Sequence, residues 1–295
     1  MSALWLIAQN TFREALRDRT LYALVFFALL MLLASLALGW VSASDQWQVV
    51  QHFSLLVASF FGALAAAFLG GRLLHREIER RTLYTVLAKP VHRWQVVVGK
   101  YLGLAGVLGV MSVGMGLAAA AASGWAAFNT PGDVDWTTRI DAGLFVRAAG
   151  LVYMETLVVA ALAVFFGSAA GSFLSALLSF TLYLVGQKTA TLRWMLESFR
   201  PARESIAHLS GEHLTDTVSS MYWFLKPVTW VLYYTLPDLA HFGLRNRVVV
   251  GPPPTGGTAE RLWLDGEVQQ AVVYGVGYIA AVLLLSCWTF SRRRL

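Results

Sequence analysis

The stretch Arg72–Lys100, RLLHREIERRTLYTVLAKPVHRWQVVVGK, separates two membrane-length apolar runs and carries seven Lys or Arg against two Glu. A hydrocarbon core of roughly 30 Å takes about 20 largely apolar helical residues to cross. Phe53–Gly71 before the stretch and Tyr101–Phe128 after it hold no charged residue, and neither do Leu21–Val41 and Val268–Phe290. Leu144–Gln187 is too long for one helix, and the small-residue run Gly167–Ser172 reads as a tight hairpin that divides it into two further spans. With 57% hydrophobic and 14% charged residues, the chain has too much apolar surface for a soluble domain of its length. The expected fold class is all-α: a polytopic membrane protein with six transmembrane helices.

Six spans place both termini on one side, and charge decides which side that is. Lys and Arg near span ends are retained in the cytoplasm. Arg13, Arg17 and Arg19 precede the first span, seven basic residues fill 72–100, and the tail reads Ser291-Arg-Arg-Arg-Leu. The connection Ser42–His52 carries only Asp45, and Asn129–Gly143 carries three Asp and one Arg. The basic segments are therefore expected in the cytoplasm and the acidic connections outside. The basic residues flank spans and do not interleave with aromatics in a polar groove, which argues against nucleic acid as a partner. The N-terminus lacks a short apolar core followed by a small-residue cleavage site, so the first span is expected to stay as an anchor.

Four regions follow. Residues 1–20 form an interfacial elbow helix: Leu4, Ala8, Phe12, Ala15 and Leu16 share one face, and Asn10, Arg13, Glu14 and Arg17 the other. Residues 21–187 hold spans one to five and the 72–100 segment. Residues 188–267, with eight basic and eight acidic residues and the loop Gly251–Gly257, form an external helical insert that could contact a partner or cargo. Within it Val218–Leu236 is broken by Lys226-Pro227, and Tyr222, Trp223, Trp230, Tyr233 and Tyr234 suit the outer membrane boundary. Residues 268–295 are the sixth span and basic tail. Small residues recur at Gly99, Gly103, Gly106, Gly109, Gly114 and Gly116, and at Gly62, Ala66 and Gly70, which reads as helix packing within one subunit.

A helix that transmits force to a soluble partner needs exposed charges for register and a small apolar ridge for grip. Glu77, Glu79, Arg80 and Arg81 supply charges, Leu83, Val86 and Leu87 the ridge, and Pro90 ends the helix before Arg93 and Trp94 return to the interface. A solvated basic loop obeying the charge rule is the alternative. Glu155 is the acidic residue inside a span; proton relay and cargo contact compete with simple pairing to a polar partner or water. His208 and His213, beside Glu204 and Glu212, match no standard ligand spacing, so no metal site is expected. The single cysteine, Cys287, leaves no internal disulfide. Gly99-Lys100 is followed by Tyr101 and lacks the earlier glycine of a phosphate-binding loop, so no nucleotide cofactor is expected on this chain.

The run E-x-E-R-R-T-L from Glu77, then L-A-K-P-x-x-R through Pro90 and Arg93, then Gly99-Lys100, resembles the permease subunits of ABC-2 type exporters, which share the type V exporter fold. The N-terminal wording N-T-F-R-E-A-L-R-D-R, with Phe12, Arg13 and Arg17, is similar to their elbow helix. The resemblance implies that Glu77, Glu79, Arg80, Arg81, Thr82, Leu83, Val86, Leu87, Pro90 and Arg93 belong to a coupling segment that docks into an ATPase subunit. It implies two permease copies, a homodimer, with two ATPase subunits that hold ATP and Mg. Relatives export polar lipids, polysaccharides, peptides and drugs, and one branch, to which this chain is similar, serves nitrous oxide reductase maturation. A membrane scaffold that anchors a cytoplasmic partner, and a secondary transporter, are the other classes compatible with the residues.

Overall fold

The computed structural model describes residues 3–41, 46–79, 92–129, 142–189, 237–243 and 258–292. Among these residues seven α-helices follow in chain order: α1 (Ala3–Leu16), α2 (Arg19–Val41), α3 (Gln46–Glu79), α4 (Arg93–Asn129), α5 (Ala142–Ala169), α6 (Ser172–Gly186) and α7 (Thr258–Arg292), with a 3-10 turn at Leu239–Phe242. There is no strand among the described residues. In hydrocarbon every backbone polar group must be satisfied within its own helix, and uncharged runs of this length have no other stable form. Among the described residues, five helices are long and apolar enough to cross a membrane: Arg19–Gly39, Gln46–Leu73, Trp94–Asn129, Ala142–Ala169 and Gly266–Arg292. The expected fifth span, α6, has 15 residues and rises roughly 22 Å, short of the roughly 30 Å core.

The chain divides into two compact units, Met1–Phe180 with Phe242–Leu295, and Thr181–His241. In the first, α3 and α5 are central: 67% and 61% of their apolar windows are buried, against 22% for α2 and α7. They run parallel, with Gly62 against Thr156, Gly70 against Ala163 and Gly167 against the backbone of Gly71. Lipid tails offer no hydrophobic gain for helix association, so close backbone approach has to supply it. A Cβ on Gly70 would stand 2.7 Å from that of Ala163, which explains why the seam is built from small residues.

The other helices wrap this pair. α4 runs antiparallel to α5; Tyr101 donates its hydroxyl to the Leu157 carbonyl at 3.3 Å and Tyr153 to that of Ala105 at 3.0 Å. α2 runs antiparallel to α3, with the Ser35 and Ser54 hydroxyls 3.4 Å apart. α7 meets α5 where the hydroxyls of Ser168 and Thr289 lie 3.2 Å apart. The hairpin read at Gly167–Ser172 is present: α5 ends at Ala169, α6 starts at Ser172, and Ser175 donates back to the Ala163 carbonyl at 2.9 Å. In the second unit Thr189 donates to the Asp238 carboxylate, and Gly186 lies against Pro237 and Leu239.

Three boundaries differ from those read in the sequence. α3 begins at Gln46, ahead of Phe53, because the polar turn Gln46–His52 packs on the end of α2, where Gly39 abuts Val50. α3 also continues to Glu79 without a break, so Glu77 and Glu79 extend the second span directly. α7 begins at Thr258, so residues 258–267, expected in the insert, form its first turns. Val218–Leu236 with its aromatics, and Glu204, His208, Glu212 and His213, lie outside the described residues.

Candidate functional site

α3 spans 34 residues and α4 spans 37, roughly 50 Å each and well beyond a hydrocarbon core of roughly 30 Å. Both therefore project past the apolar runs and bracket the segment between them. At the base of this bracket, Lys100 is 4% exposed and donates from Nζ to the Leu73 carbonyl oxygen at 2.9 Å. A charged donor makes this bond stronger than a neutral one. About one turn deeper, Leu104 reaches Gly70 on the same antiparallel seam. The second arm starts with a capped turn, in which Gln95 Oε1 accepts from the His92 backbone N–H at 3.3 Å. Trp94 is exposed beside it.

One turn of chain separates α1 from α2, and it is fixed from both sides. Asp18 accepts from the Thr20 backbone N–H through Oδ1 at 2.9 Å, capping α2. Its Oδ2 lies 3.4 Å from Nη2 of Arg72 on α3. Arg72 is held to its own helix by a 3.0 Å bond from Nε to the Phe68 carbonyl. Glu14, Ala15, Asp18, Leu69, Arg72 and Leu73 line a small cleft at this junction.

α1 lies against the start of α4. Gly99 meets Leu4 and Ile7, Gly103 meets Ala8, Thr11 and Phe12, and Gly106 meets the Phe12 ring. The buried side chains of α1 are Ala8, Thr11 and Ala15. Thr11 takes a place read for the larger apolar residues of that face, since only small side chains fit against Gly103. Arg13 and Arg17 point outward and are exposed, and Trp5 and Leu6 are exposed on the first turns.

Of the residues assigned to the coupling segment, Glu77 and Glu79 lie on the last turns of α3 and Arg93 on the first turn of α4. Arg80, Arg81, Thr82, Leu83, Val86, Leu87 and Pro90 lie outside the described residues. Asp18 entered the sequence analysis only within the N-T-F-R-E-A-L-R-D-R wording, Arg72 only as a boundary, and Lys100 as a boundary and in the Gly99-Lys100 pair. The D-R-T-L start of α2 was the available signal for Asp18, because Asp before a helix is a favoured cap.

Glu155 sits at the middle of α5, 1% exposed, and accepts from the Ser59 hydroxyl of α3 at 3.0 Å. This contact ties α3 to α5 in the core. Tyr101 and Tyr153 lash α4 to α5 within a turn of it.

A multispan α-helical membrane protein in which two long helices are joined by the Lys100–Leu73 contact is the class these features define. A family model described as "ABC-2 family transporter protein" matches residues 5–295, and the chain belongs to that family. It is a transmembrane permease subunit of an ABC transporter. No curated protein matches it.

Proposed function

We propose that this chain is one half of the membrane part of an ATP-driven exporter in the bacterial inner membrane. A separate ATPase subunit hydrolyses ATP with Mg, and this chain turns that motion into cargo movement. Two copies of the permease pair with two copies of the ATPase, six helices cross the membrane, and both termini with the 72–100 segment are cytoplasmic. The chain itself binds no cofactor, and residues 188–267 face outward, where they meet cargo or a partner. The brace of Lys100 on Leu73 supports this reading most directly. A displacement applied between α3 and α4 is carried into the bundle, because the bases of both helices are joined there and not free to splay.

The proposed docking residues are Glu77, Glu79, Arg80, Arg81, Thr82, Leu83, Val86, Leu87, Pro90 and Arg93. Glu79→Lys or Leu83→Asp should leave the spans folded and weaken capture of the ATPase by about thirtyfold, as loss of a hot-spot contact of about 2 kcal/mol does. Unchanged capture in pull-downs by both variants would leave 72–100 as a charge cluster that only orients the chain.

A further inference from the structure

We propose that Asp18 and Arg72 form a latch that passes movement of the 72–100 segment to the corner between α1 and α2, a proposal that rests on the permease reading above. Arg72 is a faithful follower of α3: its Nε is bonded to the Phe68 carbonyl one turn back, so the guanidinium moves with the helix that runs unbroken to Glu79. Asp18 is placed to receive that motion. Only Arg17 and Asp18 stand between α1 and α2, and Asp18 Oδ1 caps α2 through Thr20. A pull on the carboxylate therefore acts on the corner itself, and α1 carries it along the glycine groove of α4 at Gly99, Gly103 and Gly106.

The geometry is that of a contact not fully closed. Arg72 Nη2 is shielded from solvent and makes no hydrogen bond among the described residues, although Asp18 Oδ2 is 3.4 Å away. The cleft beside it also contains Glu14, a second carboxylate within the same small space. Arg72 and Asp18 keep only 23% and 16% of their side chains exposed, so the pair is partly buried, and retained ATPase association in the variants is what separates a positioning role from a folding one.

The test uses the assembled complex of this chain with its ATPase in a Cys287→Ser background. One nitroxide is placed at Asn10→Cys, on the exposed face of α1, and another, in a separate sample, at Thr85→Cys. Mg-ATP with vanadate should change both spectra. Asp18→Asn keeps an acceptor for the Thr20 cap and removes the charge; Arg72→Gln removes the guanidinium. Both should retain ATPase association and the Thr85 response and lose the Asn10 response, and Arg72→Lys should restore part of it. An Asn10 response equal to the parent's in both variants overturns the latch, as does a parent in which Thr85 responds and Asn10 does not. Loss of ATPase association in both variants also overturns it and makes the pair part of the docking base. If neither label responds in a parent complex that hydrolyses ATP, the coupling reading itself fails, and the latch with it.

Discussion

Nζ of Lys100 lies 2.9 Å from the carbonyl oxygen of Leu73, so a buried cation on one helix is bonded to the backbone of another. Lys100→Ala removes a charged donor from a helix seam, and such a bond is worth about 1.5–3 kcal/mol. The variant should aggregate at lower temperature in detergent than the parent, and amides of residues 73–79 should exchange faster. Equal thermal profiles and equal exchange would show that the contact bears no strain.

Gly103 is the narrowest point beneath α1, where a Cβ would lie 2.5 Å from the Ala8 carbonyl oxygen and 2.7 Å from the Thr11 Cβ. Gly103→Val should push α1 away at a cost of about 1–3 kcal/mol, the usual range for overpacking. Thiol labelling of Ala8→Cys, which is slow when α1 is seated, should then accelerate. Gly114→Ala, with nothing within 4 Å of its Cβ, is the matched control and should change neither reading.

Glu155→Gln keeps an acceptor for the Ser59 hydroxyl, whereas Glu155→Leu strands that hydroxyl in the core. The Gln variant should lie within about 1 kcal/mol of the parent in unfolding assays, and the Leu variant should fall about 1–3 kcal/mol below it. A double-mutant cycle with Ser59→Ala should return a coupling of about 0.5–1.5 kcal/mol. A coupling near zero would remove the α3–α5 tie.

Orientation is open to direct chemistry. In a Cys287→Ala background, an impermeant thiol reagent added to intact cells should label a cysteine at position 255 and not one at position 85. The opposite pattern would invert the arrangement drawn from the basic flanks.

The spans could be read in the sequence because bilayer thickness sets a length and charge is excluded from it. Leu21–Val41 became Arg19–Val41, and Tyr101–Phe128 sits inside Arg93–Asn129. The polar ends of α3 and α7 escaped, since Gln46–His52 and Thr258–Glu267 look like connections until a neighbouring helix is there to receive them. The glycine stripe was legible as a packing surface, and Gly62 and Gly70 did pack within the subunit, but periodicity alone could not say that α1 would fill the groove at Gly103. The Ser59–Glu155 and Asp18–Arg72 pairs join residues far apart in the chain, and no local pattern encodes which serine or which aspartate a buried group will meet.

The parallel seam of α3 and α5 has a consequence for biogenesis. A helical hairpin such as α3–α4 can close as soon as its second arm is made, but α3 and α5 face the same way and are separated in the chain by all of α4. Gly62 cannot meet Thr156, nor Ser59 reach Glu155, until α4 and α5 have followed α3 into the bilayer. During that interval the hydroxyl of Ser59 and the small-residue face of α3 stand against lipid or the insertion machinery. The newborn protein thus has a vulnerable period that ends only when α5 arrives, and substitutions along this seam should lower yield by exposing the half-made subunit to quality control before they alter the finished one.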